Sequence, residues 1–164
     1  MADDFDMYQG DDVTIYFCVK DAPVAGNPVD ISSITDATWV ATPAGTTTPT
    51  ITKHRSDMTI GVDPDEPGAT IQNCIFVPIG HGDTGETSDV GQFRHEIRIT
   101  LNDLQSVIYP RVRETATFSV VESLTWNATA NPPAPRITRV ESVLEQDPKR
   151  MRRDARRNRE DIEL

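Results

Sequence analysis

The sequence predicts an all-β sandwich of about seven short antiparallel strands, on three observations. Several segments alternate apolar and polar residues with a period of two, the strand signal. Turn residues recur between them at the spacing of sandwich folds. The composition, 37% hydrophobic with Leu scarce and Thr, Val, Ile, Asp and Pro abundant, suits short strands and many turns better than long helices.

The first strong element runs from Val13 to Lys20, where Val13, Ile15, Phe17 and Val19 alternate with Thr14, Tyr16, Cys18 and Lys20. Gln9-Gly10-Asp11-Asp12 before it is turn chemistry. Asp21 to Asn27 reads as a loop. A second strand spans Ala37 to Thr42 around Trp39, and Pro43-Ala44-Gly45 turns the chain into a Thr-rich strand within Thr47 to His54, running back along the Trp39 strand. Met58 to Val62 is short, and Asp63 to Gly68, with two prolines, is a loop. Thr70 to Ile79 is a more apolar strand. Residues 80–91 form a Gly-rich loop.

Gln92 to Leu101 has the clearest alternation, with Phe93, His95, Ile97, Ile99 and Leu101 on one face and Arg94, Glu96, Arg98 and Thr100 on the other. Asn102-Asp103 starts a turn or short helical segment. Val112 to Val121 is the last strand, with Ala116, Phe118 and Val120 inward. One polar face per strand implies sheets wetted on one side, hence antiparallel pairing.

The sandwich is assigned to residues 1–126, a Pro-rich extended linker to 127–135 and a charged arm, extended or partly helical, to 136–164. Within the arm, Ile137, Val140, Val143 and Leu144 are three and four apart, the spacing of a short amphipathic helix that docks on the body or on a neighbour. Asp147-Pro148 resembles an N-cap with proline at the first helical position. Lys149, Arg150, Arg152, Arg153, Arg156, Arg157 and Arg159 follow, with Asp154 among them and Glu160, Asp161 and Glu163 behind. Those charges oppose a helix dipole, so this stretch orders best against a partner. All of these arm residues are candidate partner contacts, and Trp126 is a candidate anchor at the domain edge.

The net charge is −10, unevenly spread. Residues 136–164 hold nine basic and seven acidic side chains, net +2, which leaves residues 1–135 at net −12. An acidic body repels nucleic acid and anionic membranes, and the acids in the arm favour a protein partner over DNA. The acidic N-terminus has no signal-peptide pattern, and no apolar run reaches the ~20 residues of a membrane span. A soluble protein made in the cytoplasm is expected. Cys18 and Cys74 read as unpaired thiols packed as small hydrophobes, with a single disulfide left open because sequence does not reveal their separation.

The chemistry-bearing motifs are weak. Gly80-His81-Gly82-Asp83-Thr84-Gly85-Glu86-Thr87 matches a phosphate loop except that Glu86 replaces the lysine, and it leads into a strand rather than a helix. An inter-strand loop is the expectation. His54, His81 and His95 lack metal-ligand spacing; His95, on an apolar face, reads as a hydrogen-bonded, partly buried imidazole. Asp63, Asp65 and Glu66 match no calcium loop and read as solvated acids. Ser56 and Cys18 have no nucleophile motif around them. Trp39 reads as core. No catalytic, cofactor or metal residues are assigned, and the chain is not expected to be an enzyme.

Phe5-Asp6-Met7-Tyr8-Gln9-Gly10-Asp11-Asp12, followed by an alternating strand, resembles the opening of small tailed-bacteriophage virion proteins. Pro28-Val29-Asp30-Ile31-Ser32, Ala37-Thr38-Trp39, Ile51-Thr52-Lys53, Asp83-Thr84, Gly91-Gln92-Phe93-Arg94-His95-Glu96 and the strand from Glu114 to Val120 fit the same pattern. Over residues 5–122 the chain resembles the immunoglobulin-like N-terminal domain of phage baseplate upper proteins, a domain similar to others in neck, decoration and fibre-attachment proteins. The resemblance implies an immunoglobulin-like sandwich without catalytic residues or cofactor, residing in the virion. The implied partners are capsid, portal, neck or tail subunits, or further copies of the chain. The expected role is structural, at the head–tail neck or connector or on the capsid surface, with docking through the arm. The alternative is a receptor- or carbohydrate-binding module of the tail or baseplate, using loops 63–68 and 80–91.

Overall fold

The computed structural model describes residues 3–21, 26–85, 90–102, 105–110, 114–122 and 136–140. Among them lie ten strands: β1 (Phe5–Tyr8), β2 (Val13–Cys18), β3 (Asp36–Pro43), β4 (Ile51–His54), β5 (Thr59–Gly61), β6 (Cys74–Ile79), β7 (Gly91–Asn102), β8 (Gln105–Tyr109), β9 (Thr117–Val121) and β10 (Arg136–Arg139). The single 3-10 turn Arg55–Asp57 is the one helical element among the described residues. The all-β expectation holds.

One sheet has the order β1-β9-β7-β3-β4, with β8 pairing the far half of β7; the other has the order β10-β2-β6-β5. The sheets are mixed, which corrects the purely antiparallel expectation. β1 runs parallel to β9, and β10 runs parallel to β2. Each of these pairs joins opposite ends of the chain. No hairpin dictates their direction, unlike the β3–β4 and β7–β8 neighbours.

The alternation along β7 places Phe93, His95, Ile97 and Ile99 in the core. Phe5, Phe118 and Phe93 occupy one row across β1, β9 and β7. Their rings stack, with centroids 4.6 Å apart for Phe5–Phe118 and 5.1 Å for Phe93–Phe118. Trp39, from β3, is fully buried against Phe118 and His95. Opposite them, β2 and β6 supply Val13, Ile15, Phe17, Ile75, Val77 and Ile79.

Several strands differ from expectation: β1 forms where no strand is expected, β9 starts at Thr117 rather than Val112, and three further differences concern β6, β8 and β10. The strand placed at Thr70 to Ile79 starts only at Cys74, and Ile71 is exposed. β8 replaces the turn or short helix expected after Asn102; its Val107 is buried, and the Val107-Ile108-Tyr109 run before Pro110 is too short to show a period. β10 replaces the expected amphipathic helix at its start. Ile137 and Val140, three apart, share a helix face but take opposite faces of a strand. Accordingly Ile137 is 64% exposed while Val140 is fully buried in the core. β-branched Ile137 and Thr138 favour the strand, and the outer edge of β2 offers it backbone partners.

Candidate functional site

Among the described residues, a charged constellation is built on the outer face of the β10-β2-β6-β5 sheet. Tyr16 and Arg139 are register partners on β2 and β10, so their side chains emerge side by side. The guanidinium carbon of Arg139 lies 5.8 Å from the Tyr16 ring centroid, a cation–π contact. The loop after β5 folds over this pair. Nη1 of Arg139 donates to Asp63 Oδ1 and Oδ2 at 2.9 and 3.1 Å and to Asp65 Oδ2 at 2.9 Å. The Tyr16 hydroxyl also donates to Asp65 Oδ2, at 2.9 Å. The loop closes on itself where the Asp65 amide donates to Asp63 Oδ1, 2.9 Å away.

Environment sets the charge states. Asp65 is held below the ordinary carboxylate value by the Tyr16 hydrogen bond and then by Arg139. Burial, followed by the bond to Asp65, raises the Tyr16 phenol. Burial opposes the charge on Arg139, yet its bonds to Asp65 and Asp63 raise the guanidinium above its ordinary value. Asp63 is only 4% exposed. The expectation of solvated acids is corrected at Asp63, which is buried on the guanidinium of β10, and holds at Asp65 and Glu66, which are exposed, although Asp65 also binds that guanidinium. Spacing could not reveal this, because the partner is remote in sequence.

Cys18 and Cys74 lie beneath the same loop, directly opposite one another on β2 and β6, and form a disulfide. This corrects the reading as unpaired thiols. Both are fully buried in a small cluster with Tyr16 and Phe76 on the face turned away from the main core, and the register brings their Cα atoms to 4.0 Å. Among the described residues, one trio of metal-ligating types converges: Cys18, Cys74 and Asp63, all buried. A cleft of about 380 Å³, lined by Lys20, Pro28, Asp63, Glu66, Ile71 and Asn73 among others, opens beside Asp63.

The near-miss phosphate loop is occupied by the protein's own carboxylates. The Gly80 amide donates to Asp83 Oδ2 at 2.7 Å, and the His81 amide donates to Asp12 Oδ1 at 2.9 Å. Two amides that a phosphate would use are therefore taken. Thr84, fully buried, accepts the Gly10 amide at 2.9 Å, and Gln9 Nε2 donates to the Gly85 carbonyl. Gly10 itself has φ of 80°, a conformation glycine adopts without strain. The segment is a strap that fastens the β1–β2 turn. Lys53, on the inward side of β4, adds an ion pair to Asp83 at 2.8 Å.

His95 is hydrogen-bonded, as expected, and its ring is fully rather than partly buried. Trp39 Nε1 donates to His95 Nδ1 at 3.1 Å, so that nitrogen is unprotonated and the proton sits on Nε2, 2.9 Å from Asp4 Oδ2. Tyr109 also donates to Asp4. This histidine–carboxylate pair lies against the rings of Phe5, Phe17 and Phe118. Ser56 lies exposed on the 3-10 turn.

Of the arm residues singled out as partner contacts, the structure places two. Val140 is buried in the sandwich core and Ile137 is exposed on β10. Trp126, the 127–135 linker, Val143, Leu144, Lys149, Arg150, Arg152, Arg153, Arg156, Arg157 and Arg159 lie outside the described residues. Arg139, which sequence reasoning passed over, is the basic residue that fastens β10. No protein-family model, curated protein or solved structure matches this chain.

Proposed function

We propose that this chain is a non-enzymatic structural protein of a tailed-phage virion, at the head–tail neck or on the capsid surface. It docks on neighbouring subunits through the segment that follows β10. The observation that supports docking beyond β10 is the clamp on Arg139, which fastens β10 to the sandwich immediately before the charged residues 141–164.

Strand order supports the immunoglobulin-like part of the reading. β2-β6-β5 and β9-β7-β3-β4 run in the orders of strands B-E-D and G-F-C-C′ of such sandwiches, with the buried tryptophan on the strand corresponding to C. β10 takes the place beside β2 that the first strand holds in that fold. The disulfide departs from the antibody pattern, because it joins neighbouring strands of one sheet instead of bridging two. The motifs that carry the phage resemblance also meet physically: Gly10 with Thr84, Lys53 with Asp83, and Phe5 with Phe118. Fold alone does not give function, so the virion assignment rests on that resemblance.

The test is a chain truncated after Val140, expressed during infection in place of the full chain. The truncated protein should fold and fail to join particles. Normal incorporation would overturn the docking role of 141–164.

A further inference from the structure

We propose that Cys18, Cys74 and Asp63, when the disulfide is reduced, form a binding site for a divalent cation of zinc type. The proposal stands independently of the virion reading.

Three features of the corner carry it. The first is proximity: one ligand atom from each residue lies within 4.8 Å of the other two, and all three side chains are buried. In a tetrahedral zinc site, ligand atoms stand roughly 3.3–3.8 Å apart. Side-chain rotations of the two cysteines and a small shift of the loop bring the trio to that spacing. Two thiolates and a carboxylate are a donor set suited to a soft or borderline ion rather than to calcium or magnesium.

The second feature is charge. Two equivalents of a monothiol reductant convert the S–S bond to two thiols and one small-molecule disulfide. A divalent ion then displaces both thiol protons to solvent. Two thiolates, the Asp63 carboxylate and the ion together carry one negative charge, set beside the Arg139 guanidinium, whose Nη1 lies 2.9 Å from Asp63 Oδ1 and is shared with Asp65. Asp63 Oδ1 already accepts two hydrogen bonds, whereas Oδ2 accepts one of those described and retains a lone pair for the ion.

The third feature is the surrounding shell. Asn73, 2% exposed, donates from Nδ2 to the Val19 carbonyl at 3.1 Å. This orientation aims its Oδ1 at Cys74 Sγ, 3.5 Å away. In the disulfide that sulfur has no proton to donate, so the approach gains a role only after reduction, when Oδ1 can complete the coordination or hold a water that does. The cleft beside Asp63, which Asn73 also lines, gives the ion a route from solvent.

Cobalt(II) is the probe. The full chain, reduced with a phosphine under argon and shown to be folded by circular dichroism, is titrated with Co²⁺ and then Zn²⁺. One equivalent of Co²⁺ should produce a thiolate-to-metal charge-transfer band and the intense visible bands of a tetrahedral site, both bleached by Zn²⁺. The oxidised chain should give neither. Asp63→Asn should weaken Co²⁺ binding at least about tenfold, and Arg139→Gln should weaken it about 10–100-fold as a supporting residue. A reduced, folded chain without the charge-transfer band overturns the proposal. So does a reduced chain that unfolds and that Zn²⁺ does not refold. Unchanged Co²⁺ affinity in Asp63→Asn removes the carboxylate and reduces the site to an ordinary dithiol, which also contradicts it.

Discussion

Nη1 of Arg139 donates to both carboxylate oxygens of Asp63, joining the C-terminal strand to the loop after β5. The two ends of this pair differ in exposure, with side chains 31% and 3% accessible. Removing the cation strands a buried carboxylate, whereas removing the carboxylate frees a guanidinium that water can reach. Arg139→Gln should therefore cost about 2 kcal/mol, below the ~3–5 of fully buried pairs, and Asp63→Asn less. A double-mutant cycle in urea checks both the asymmetry and the coupling.

The position of Val140 moves the boundary of the folded unit. Its side chain is fully buried and its amide donates to the Tyr16 carbonyl. Truncation after Val140 should leave the urea midpoint near that of the full chain. Truncation before Arg136 should lower stability by about 3 kcal/mol or more, because it uncovers core, bares the edge of β2 and orphans Asp63. Equal midpoints for the two truncations would contradict the place of β10 in the fold.

Acid should loosen the edge strand β1. Asp3 accepts hydrogen bonds from Ser119 and Thr117, and less strongly from Gln92, which hold its carboxyl below the ordinary value of 3.8. The folded state then binds fewer protons than the unfolded chain. The stabilisation is whole above about pH 4 and is lost as the pH falls through the lowered folded value. Asp65 contributes with the same sign. Asp3→Asn should flatten the decline of the thermal midpoint between neutral and acidic pH; an unchanged slope would contradict it.

Trp39 holds His95 in one tautomer. Nitrogen-detected NMR should show His95 protonated on Nε2 and bare on Nδ1. Trp39→Phe removes the indole donor and part of a fully buried side chain, and should cost about 2–4 kcal/mol. It should also change the Nδ1 chemical shift, which a purely steric effect would leave in place.

Much of the sandwich was legible in sequence because alternation survives wherever one face is buried. β2, β3 and β7 follow from that pattern, and His95 and Trp39 fall on the core side. The edges were less legible. β1 and β10 are four residues each, too short to establish a period, and their parallel pairing depends on partners at the other end of the chain. The charged corner was hidden for the same reason. Asp63 was visible as a loop acid, but its guanidinium, its tyrosine neighbour and the disulfide beneath it come from three other strands. The Gly80–Thr87 motif was legible in the opposite sense. Glu86 argued against phosphate, and Asp12 and Asp83 supply the carboxylates that occupy the loop amides.

The central claim is that this sandwich is a structural part of a virion, fastened through its C-terminal segment. Electron microscopy of intact particles encoding this sequence tests it most directly. A two-sheet domain at the neck or on the capsid surface, with continuous density from the β10 corner into an adjoining subunit, is the expected result. Particles that lack the domain, or that hold it through the sandwich loops with the segment after Val140 making no contact, would contradict it.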